Sequence, residues 1–305
     1  MIIQITGASG FVGQNLTQYF AKSPYKITAL SLRSENWKKD LDQDADAIIH
    51  LAGKAHDTKN TSDEAEYFKV NRDLTIALFE QFLQSNIRDF FYFSSVKAVA
   101  DTADNVVDEN ITPNPLTAYG KSKFEAEQFL LSQTLPIGKR LFIIRPCMIH
   151  GAGNKGNLNL LYKVVEKGIP WFLASFHNQR SFLSIDNLNF LIGQMLLKDN
   201  LASGVYHFAD DETLSTNELI TLISKTLDKK PKLWFIPTGI IKTLVKFGDI
   251  LPLPLNSERL KKLTESYVVS NKKIKQALGI EKLPVTATEG LEKTILSFKA
   301  SSAGS

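Results

Sequence analysis

Residues 2–13 read IIQITGASGFVG, a short apolar strand followed by a turn with glycine at every third position. Helical spacing of apolar residues begins after this turn, over residues 14–22. Glycine lets a ligand approach the backbone closely, and the N–H groups at a helix start favour a diphosphate. The spacing Gly-x-x-Gly-x-x-Gly is a variant of the Gly-x-Gly-x-x-Gly dinucleotide fingerprint. We therefore expect a dinucleotide at this turn, in contact with Gly7, Ser9, Gly10, Phe11, Val12 and Gly13.

Strand-like and helix-like segments alternate through the first half of the chain. Strands are predicted over residues 27–32, 47–51, 90–93 and 141–144, and helices over 62–85 and 116–132. Continuously apolar strands indicate a parallel sheet that is covered on both faces. The predicted fold class is α/β, a Rossmann-type doubly wound parallel sheet with a smaller C-terminal substrate-binding domain. The predicted domains are a dinucleotide-binding domain (1–150, completed by part of 181–210), a mainly substrate-binding domain (151–300) and a disordered tail (301–305).

Composition restricts the class of protein. The chain has 305 residues, 43% of them hydrophobic, and a net charge of +4, which suits about two globular domains. This weak charge does not indicate nucleic acid, and Lys229–Lys230 is predicted to be solvated surface. No apolar run approaches the ~18 residues of a membrane span, so no membrane partner is expected. A single cysteine, Cys147, and the absence of signal-peptide features favour a cytoplasmic protein.

The histidines show no metal-ligand spacing, so we predict no metal site. His50 and His207 lie within apolar strands and are predicted to be hydrogen-bonded core residues.

The end of the second predicted strand bears on the choice between NAD and NADP. An NAD site carries an acidic residue about 20 residues after the glycine turn, where it accepts from the ribose hydroxyls. Ser31 and Arg33 stand there instead, and the next acid is Glu35. Since a guanidinium pairs well with a 2′-phosphate, the sequence favours NADP slightly, with a plain surface role of Arg33 as the alternative.

A tyrosine and a lysine lie one helical turn apart at Tyr119 and Lys123. A free tyrosine has a pKa of about 10, and a neighbouring ammonium lowers it by favouring the phenolate. Ser95 follows the strand at 90–93 and would offer a hydroxyl to the same substrate oxygen. Of the eight tyrosines, only Tyr119 has lysine four residues later. We therefore expect an acid–base group in which Lys123 lowers the pKa of Tyr119.

With these motifs in place, the chain resembles an extended short-chain dehydrogenase/reductase of the NAD-dependent epimerase/dehydratase type. The resemblance covers nearly the whole chain, and its further motifs are His50–Gly53, Val70-Asn71, Arg145-Pro146, Arg180–Phe182 and Tyr206–Phe208. It implies that Ser95, Tyr119 and Lys123 are catalytic. It also implies that the cofactor is NADP or NAD and that the substrate is a nucleotide sugar. The chain most resembles bacterial surface-polysaccharide enzymes that act at C4 of UDP-N-acetylhexosamines. Further cofactor contacts implied in this way are Leu51, Ala52, Gly53, Asn71 and Pro146, besides Tyr119 and Lys123.

The residues after the catalytic serine bear on the reaction. Family members that dehydrate sugars carry an Asp-Glu pair there, and this chain has Val96-Lys97. The resemblance therefore implies hydride transfer at C4 without elimination, by a nucleotide-sugar 4-epimerase or an NADPH-dependent 4-ketoreductase. The residues leave these two open, and a non-catalytic dinucleotide-binding regulator is the alternative of another class.

Candidate substrate contacts come mainly from the second half of the chain. By resemblance, Asn157 and Arg180 contact a diphosphate, and Arg259 is a weaker second cation. Lys97 and His56 follow strand ends, where ligands bind in open α/β sheets, and each is a candidate for the sugar. The predicted substrate set is thus Ser95, Lys97, Asn157, Arg180 and Arg259. The predicted partner is a UDP-linked sugar, and a homodimer is left open.

Overall fold

The structure, a computed structural model, describes residues 1–54, 63–103, 105–154, 156–248 and 256–303. The strands in these residues are β1 (Ile2–Thr6), β2 (Lys26–Leu30), β3 (Ala47–His50), β4 (Asp89–Phe93), β5 (Arg140–Pro146), β6 (Met148–His150), β7 (Arg180–Ser184), β8 (Gly204–Phe208) and β9 (Thr213–Leu214). Six of them form a parallel sheet in the order β2-β1-β3-β4-β5-β8, while β6, β7 and β9 form a small second sheet. The sixth strand of the main sheet therefore comes from the second half of the chain.

The α-helices of the described residues flank these sheets. They are α1 (Phe11–Phe20), α2 (Glu64–Tyr67), α3 (Leu74–Gln84), α4 (Ala118–Ser132), α5 (Asn157–Glu166), α6 (Ile185–Leu197), α7 (Thr216–Thr226), α8 (Thr238–Gly248), α9 (Ser257–Thr264), α10 (Lys272–Leu278) and α11 (Ala287–Ala303). A π-helical segment, Phe68–Asp73, joins α2 to α3, and 3-10 turns lie at Trp37–Lys39 and Val96–Ala98. Helix α11 ends at Ala303, within the tail predicted for residues 301–305.

The central strands are apolar throughout because both faces of the sheet are buried. Phe91 and Phe93 pack in the core that includes residues of α1 and α6. Phe90 and Tyr92 alternate with them and pack in the core that includes residues of α3 and α4. The predicted α/β class with a doubly wound parallel sheet is thereby confirmed.

A separate core forms in the second half, from apolar residues of α5, α7, α8, α9 and α11. The main sheet places the carboxyl ends of β1, β3, β4 and β5 along one edge, where ligands bind in open α/β sheets. No helix in the described part of the chain is long and apolar enough to cross a bilayer.

Candidate active site

The glycine turn after β1 packs directly against the end of β3. Gly7 has φ +69°, and a Cβ on it would lie 2.7 Å from the amide nitrogen of Ala52. A Cβ on Gly13 would lie 2.4 Å from the carbonyl oxygen of Gly7. Gly10 begins α1 in an extended conformation, and Ser9 beside it is exposed. The turn therefore presents bare backbone at a helix N-terminus that carries no acid in its first turn, which fits the diphosphate of a dinucleotide.

A buried hydrogen-bond chain fixes the ends of β1 and β3 relative to each other. The Ala52 N–H donates to Thr6 Oγ1 at 3.1 Å, and Thr6 Oγ1 lies 2.6 Å from His50 Nδ1. His50 Nε2 lies 2.9 Å from Thr75 Oγ1, whose own hydrogen goes to the Asn71 carbonyl. Burial lowers the pKa of His50 to about 3, so the ring is neutral and serves as a structural link. His50 is thus a hydrogen-bonded core residue, as the sequence predicted.

The π-helical segment carries Asn71 to the loop after β3. Asn71 is fully buried, and its Oδ1 accepts from the Lys54 N–H at 2.7 Å. Its Nδ2 donates to the Lys54 carbonyl and to Ser122 Oγ, both at 3.1 Å. The wider turn of a π-helix shifts the residue that faces a neighbour, which is why such segments occur at functional sites. Asn71, predicted to contact the cofactor, here uses its amide to position the loop at residues 51–54.

Ser95, Tyr119 and Lys123 meet at the carboxyl end of β4. Tyr119 is hydrogen-bonded to Ser95 through its hydroxyl. Lys123 Nζ donates to the Phe93 carbonyl at 2.8 Å and lies 3.1 Å from where a Cβ on Gly53 would stand. Thr117 caps α4 by accepting from the Gly120 N–H, which orients the first turn of the helix and with it Tyr119. The structure thus brings the predicted catalytic residues together beside the predicted cofactor loop.

Burial is the main influence on the pKa values of both Tyr119 and Lys123. Burial raises the pKa of Tyr119 from its usual value, while the hydrogen bond with Ser95 lowers it. Burial also lowers the pKa of Lys123 to about 8, and the ammonium is directed at the Phe93 carbonyl. Burial and the Ser95 hydrogen bond are the main influences on the pKa of Tyr119 here, and the lowering of that pKa by Lys123 stays a prediction.

Two site residues were missed by sequence reasoning. Glu127 lies one turn beyond Lys123 and is completely buried, paired with Arg145 of β5, and its charge raises the pKa of Lys123. The i, i+4 spacing from Tyr119 through Lys123 continues to Glu127, so the signal was present. Lys54 directly follows Gly53, and its Nζ pairs with Glu66 and lies 5.4 Å from the ring centroid of Tyr67.

The adenosine side of the predicted cofactor site is open. Ser31 and Arg33 follow β2 and are exposed, and β2 ends at Leu30 opposite Thr6 of β1. Gln4 holds the nearby chain, since its Nε2 donates to the Asp40 carbonyl and its Oε1 accepts from the Asp42 N–H. Arg33 is therefore a solvent-exposed cation three residues beyond the end of β2.

Packing surrounds the inner end of the predicted cofactor site. Phe11 packs against the loop after β6, where a Cβ on Gly151 would lie 3.2 Å from its ring. Val12 is half-buried, and Leu51 packs against the same core. Pro146 is buried at the end of β5, next to the buried thiol of Cys147, whose pKa burial raises. His207 is buried as predicted, with Nδ1 3.4 Å from the Val107 carbonyl.

The predicted substrate contacts fall into two groups. Lys97 Nζ donates to the Asp101 carbonyl at 2.6 Å and lies 4.5 Å from the ring centroid of Tyr267. The backbone of Tyr267 in turn pairs with Arg180 at the start of β7, which places Lys97 and Arg180 on either side of one residue. Arg180 Nε donates to the Glu265 carbonyl at 3.2 Å, and burial lowers the pKa of Arg180.

The remaining predicted substrate contacts are less defined. Arg259 is exposed in the first turn of α9. Asn157 begins α5, but its side chain is not among the described atoms, and His56 lies outside the described residues. Among the described residues no cluster of metal-ligating side chains is found.

Comparisons with known proteins agree with this geometry. Residues 3–201 match the family described as "NAD dependent epimerase/dehydratase family". The chain belongs to this family. A UDP-glucose 4-epimerase from Vibrio cholerae is 30% identical to it over 97% of this chain and 95% of its own length.

A second relative is the N-acetyl-alpha-D-glucosaminyl-diphospho-ditrans,octacis-undecaprenol 4-epimerase of Escherichia coli O157:H7. It is 27% identical over 96% of this chain and 94% of its own. Among solved structures, RMD from Pseudomonas aeruginosa complexed with NADPH superposes with a TM-score of 0.76 at 20% identity, covering 98% of this chain and 99% of that one. The predictions of the family and of an enzyme that uses NAD or NADP are confirmed.

Proposed function

We propose that the protein is a nucleotide-sugar 4-epimerase that acts on a UDP-linked hexose or N-acetylhexosamine. The observation that carries this proposal is the hydrogen bond between Ser95 and Tyr119, set beside Lys123 at the carboxyl end of β4. Support also comes from the two relatives, both 4-epimerases, that span nearly the whole chain.

The chain's own residues supply the proton chemistry. A bound nicotinamide supplies a hydride acceptor and donor for sugar carbon C4. In its phenolate form, Tyr119 takes the proton of the C4 hydroxyl as that hydroxyl becomes a ketone, and returns it when the opposite face has been reduced. Ser95 donates a hydrogen bond to the same oxygen and polarises it. Lys123, held at the Phe93 carbonyl, presents its remaining N–H donors beside Gly53, where a cofactor ribose would be bound.

Among the described residues that follow Ser95, the Asp-Glu pair of the dehydrating family members is replaced by Val96-Lys97. Val96 is buried, and Lys97 directs its ammonium to the Asp101 carbonyl. Glu127, which lies on the same helix as Tyr119, is engaged by Arg145. The site therefore suits hydride transfer at C4 better than dehydration.

For the cofactor we propose NADP, since Arg33 is exposed after β2 where an NAD site would carry an acid. This same feature favours the alternative reaction, an NADPH-dependent 4-ketoreductase. The two differ in their use of the cofactor. An epimerase restores it in every cycle and retains it, whereas a ketoreductase consumes one NADPH for each sugar.

The test combines native mass spectrometry with product analysis. We expect purified protein to carry a dinucleotide and to interconvert UDP-N-acetylglucosamine and UDP-N-acetylgalactosamine, followed by NMR of the anomeric protons, without net change in NADPH absorbance. Stoichiometric oxidation of NADPH by a UDP-4-keto sugar would instead establish the ketoreductase. If the protein binds a dinucleotide but catalyses neither reaction, and if Tyr119→Phe does not change the affinity for any ligand, the non-catalytic regulator would be favoured.

A second candidate substrate is a sugar diphosphate linked to a polyprenol, the substrate type in the name of the Escherichia coli relative. The observation that favours it is a set of exposed apolar side chains on α8 and just before it, next to the helix that carries Arg259. Parallel assays with a detergent-solubilised polyprenyl-diphosphate sugar and with the UDP-sugar would decide between them by comparing kcat/KM.

A further inference from the structure

Residues 229–248 contain five lysines and no acidic residue, in a segment that is otherwise mostly apolar. Four of its large side chains are exposed: Trp234 by 56%, Phe235 by 66%, Ile240 by 53% and Leu244 by 60%. Single exposed apolar residues are ordinary, but several together with aromatic members mark a contact surface. We call these four residues, with Lys242 and Lys246, the basic apolar surface.

The fold holds α8 in place while leaving this surface free. Ile241 and Val245 are each 2% exposed and anchor the helix in the core of the second half. Ile240 and Leu244 precede them by one residue and form an exposed apolar stripe, and Lys242 and Lys246 form an exposed charged stripe along the same helix. The surface is therefore built on a packed helix, and its exposed residues add nothing to the core.

The preceding segment extends the same surface. Leu233 pairs with Trp171 and Phe235 pairs with Leu173, and the Trp234 N–H donates to the Trp171 carbonyl at 2.9 Å. Phe172 lies between these paired positions and is itself exposed. On its other side α8 packs on α9, the helix that carries Arg259. The surface thus adjoins the part of the chain in which the substrate cations were predicted.

We propose that the basic apolar surface docks the protein on an anionic phospholipid bilayer, as a peripheral contact. Aromatic and aliphatic side chains enter the interface, while lysines pair with anionic headgroups. A second copy of the chain fits less well, because a two-fold contact through this surface would bring like-charged lysines together. The expectation of no membrane partner rested on the lack of a spanning segment, which a docking surface does not need. This inference does not depend on which sugar the site converts.

The test uses the full chain and phospholipid vesicles. We expect the protein to sediment with mixed phosphatidylcholine and phosphatidylglycerol vesicles and to be released by high salt, with little binding to phosphatidylcholine alone. Trp37 and Trp171 are each 6% exposed, so Trp234 is the exposed member of the three tryptophans. Binding should therefore shift tryptophan emission to shorter wavelength, and Trp234→Phe should abolish that shift while retaining sedimentation.

Matched variants separate the surface from general effects. Leu244→Ser, and Lys242→Glu combined with Lys246→Glu, should each lower vesicle affinity at least about tenfold. Ile137→Ser and the pair Lys22→Glu with Lys26→Glu change exposed residues of the first half and should leave affinity unchanged. Failure of the wild-type protein to bind mixed vesicles, or equal losses in the control variants, would overturn the proposal. A dimer that Leu244→Ser dissociates, without vesicle binding, would overturn it in favour of a contact between copies.

Discussion

The hydroxyl of Tyr267 donates to the carbonyl oxygen of Ala100 at 2.7 Å, across 167 positions of sequence. It also lies 3.1 Å from the carbonyl oxygen of Val96, so one phenol holds both ends of the turn that follows Ser95. The backbone of Tyr267 pairs with Arg180 of β7. The turn beside Ser95, the predicted catalytic serine, is thereby tied to the strand that carries a predicted substrate cation.

Tyr267→Phe should therefore lower kcat/KM for the sugar substrate while leaving dinucleotide affinity unchanged, because the turn after Ser95 loses its anchor. The lost hydrogen bond should also reduce the free energy of unfolding by about 1–2 kcal/mol. Tyr206→Phe is a matched control. The Tyr206 hydroxyl also donates to a carbonyl oxygen at 2.7 Å, that of Ala202, but this hydrogen bond does not involve the turn after Ser95. Steady-state kinetics and urea denaturation of both variants check this. Equal losses of kcat/KM in the two variants would contradict a specific role of Tyr267.

Tyr119→Phe should retain dinucleotide binding and lose turnover by roughly 10²–10⁴-fold, the range for removal of a general acid–base group. The ring remains to pack beside Tyr67, so the fold should be preserved. Titration calorimetry with NADPH and NADH, together with the NMR assay, measures both effects. Near-normal turnover would remove Tyr119 from the reaction.

Arg33→Ala should weaken NADPH binding by about 10- to 100-fold and leave NADH binding nearly unchanged, since it removes a charge-assisted contact to the 2′-phosphate. Lys26→Ala removes a cation from the opposite end of β2 and serves as the control. Fluorescence titrations give the four dissociation constants. Parallel losses for the two cofactors would show that Arg33 does not read the phosphate.

The pH profile of kcat/KM should fall as the pH rises through about 8, where Lys123 loses its proton. The profile of kcat/KM reports the free enzyme, to which this pKa belongs. Glu127 raises that pKa, so Glu127→Gln should move the fall to lower pH, judged from the shape of the profile and not its height. Glu125→Gln changes a half-buried carboxylate that lies on α4 like Glu127 but pairs with Arg72, and it should not move the fall. An unshifted profile in Glu127→Gln would separate Lys123 from the observed titration.

The free energy of unfolding should fall as the pH is lowered below about 6.5. Burial lowers the pKa of His50 to about 3 and that of His207 to about 4. Below the ordinary histidine pKa of about 6.5, these two histidines are protonated in the unfolded chain but stay neutral in the folded one. Each of them then lowers the free energy of unfolding by about 1.4 kcal/mol for every pH unit. His50→Asn should flatten this dependence, and His177→Asn, at an exposed position, should not. Chemical denaturation between pH 7 and 5 measures the slopes.

Much of the fold follows from local pattern. The continuous apolar runs of β3 to β5 and the glycine turn predict the sheet and its ligand edge, because both depend on neighbours in sequence. The spacing of Tyr119 and Lys123 also predicts that they share a helix face. The effect of Lys123 on the pKa of Tyr119 stays a prediction, because it depends on burial and on the hydrogen bond from Lys123 to the Phe93 carbonyl, neither of which spacing reveals.

The contacts that sequence could not supply are long-range ones. Two examples are the hydrogen bond from the Lys54 N–H to Asn71 and the one from Tyr267 to the Ala100 carbonyl. Both depend on packing between distant segments of the chain. The assignments of individual cofactor and substrate contacts stay predictions until the variants above are measured.

The π-helical turn at Phe68–Asp73 places an unusual restriction on the length of this chain. A wide turn of this kind contains one residue more than an α-helical turn, and each residue of a helix corresponds to about 100° of rotation. Deleting one residue of this segment before Asn71 should restore the regular ladder and rotate Asn71 away from the Lys54 backbone to which it is hydrogen-bonded. The number of residues in this turn is thus more tightly constrained than the identity of most of them. Single deletions here should therefore be more damaging than most single substitutions.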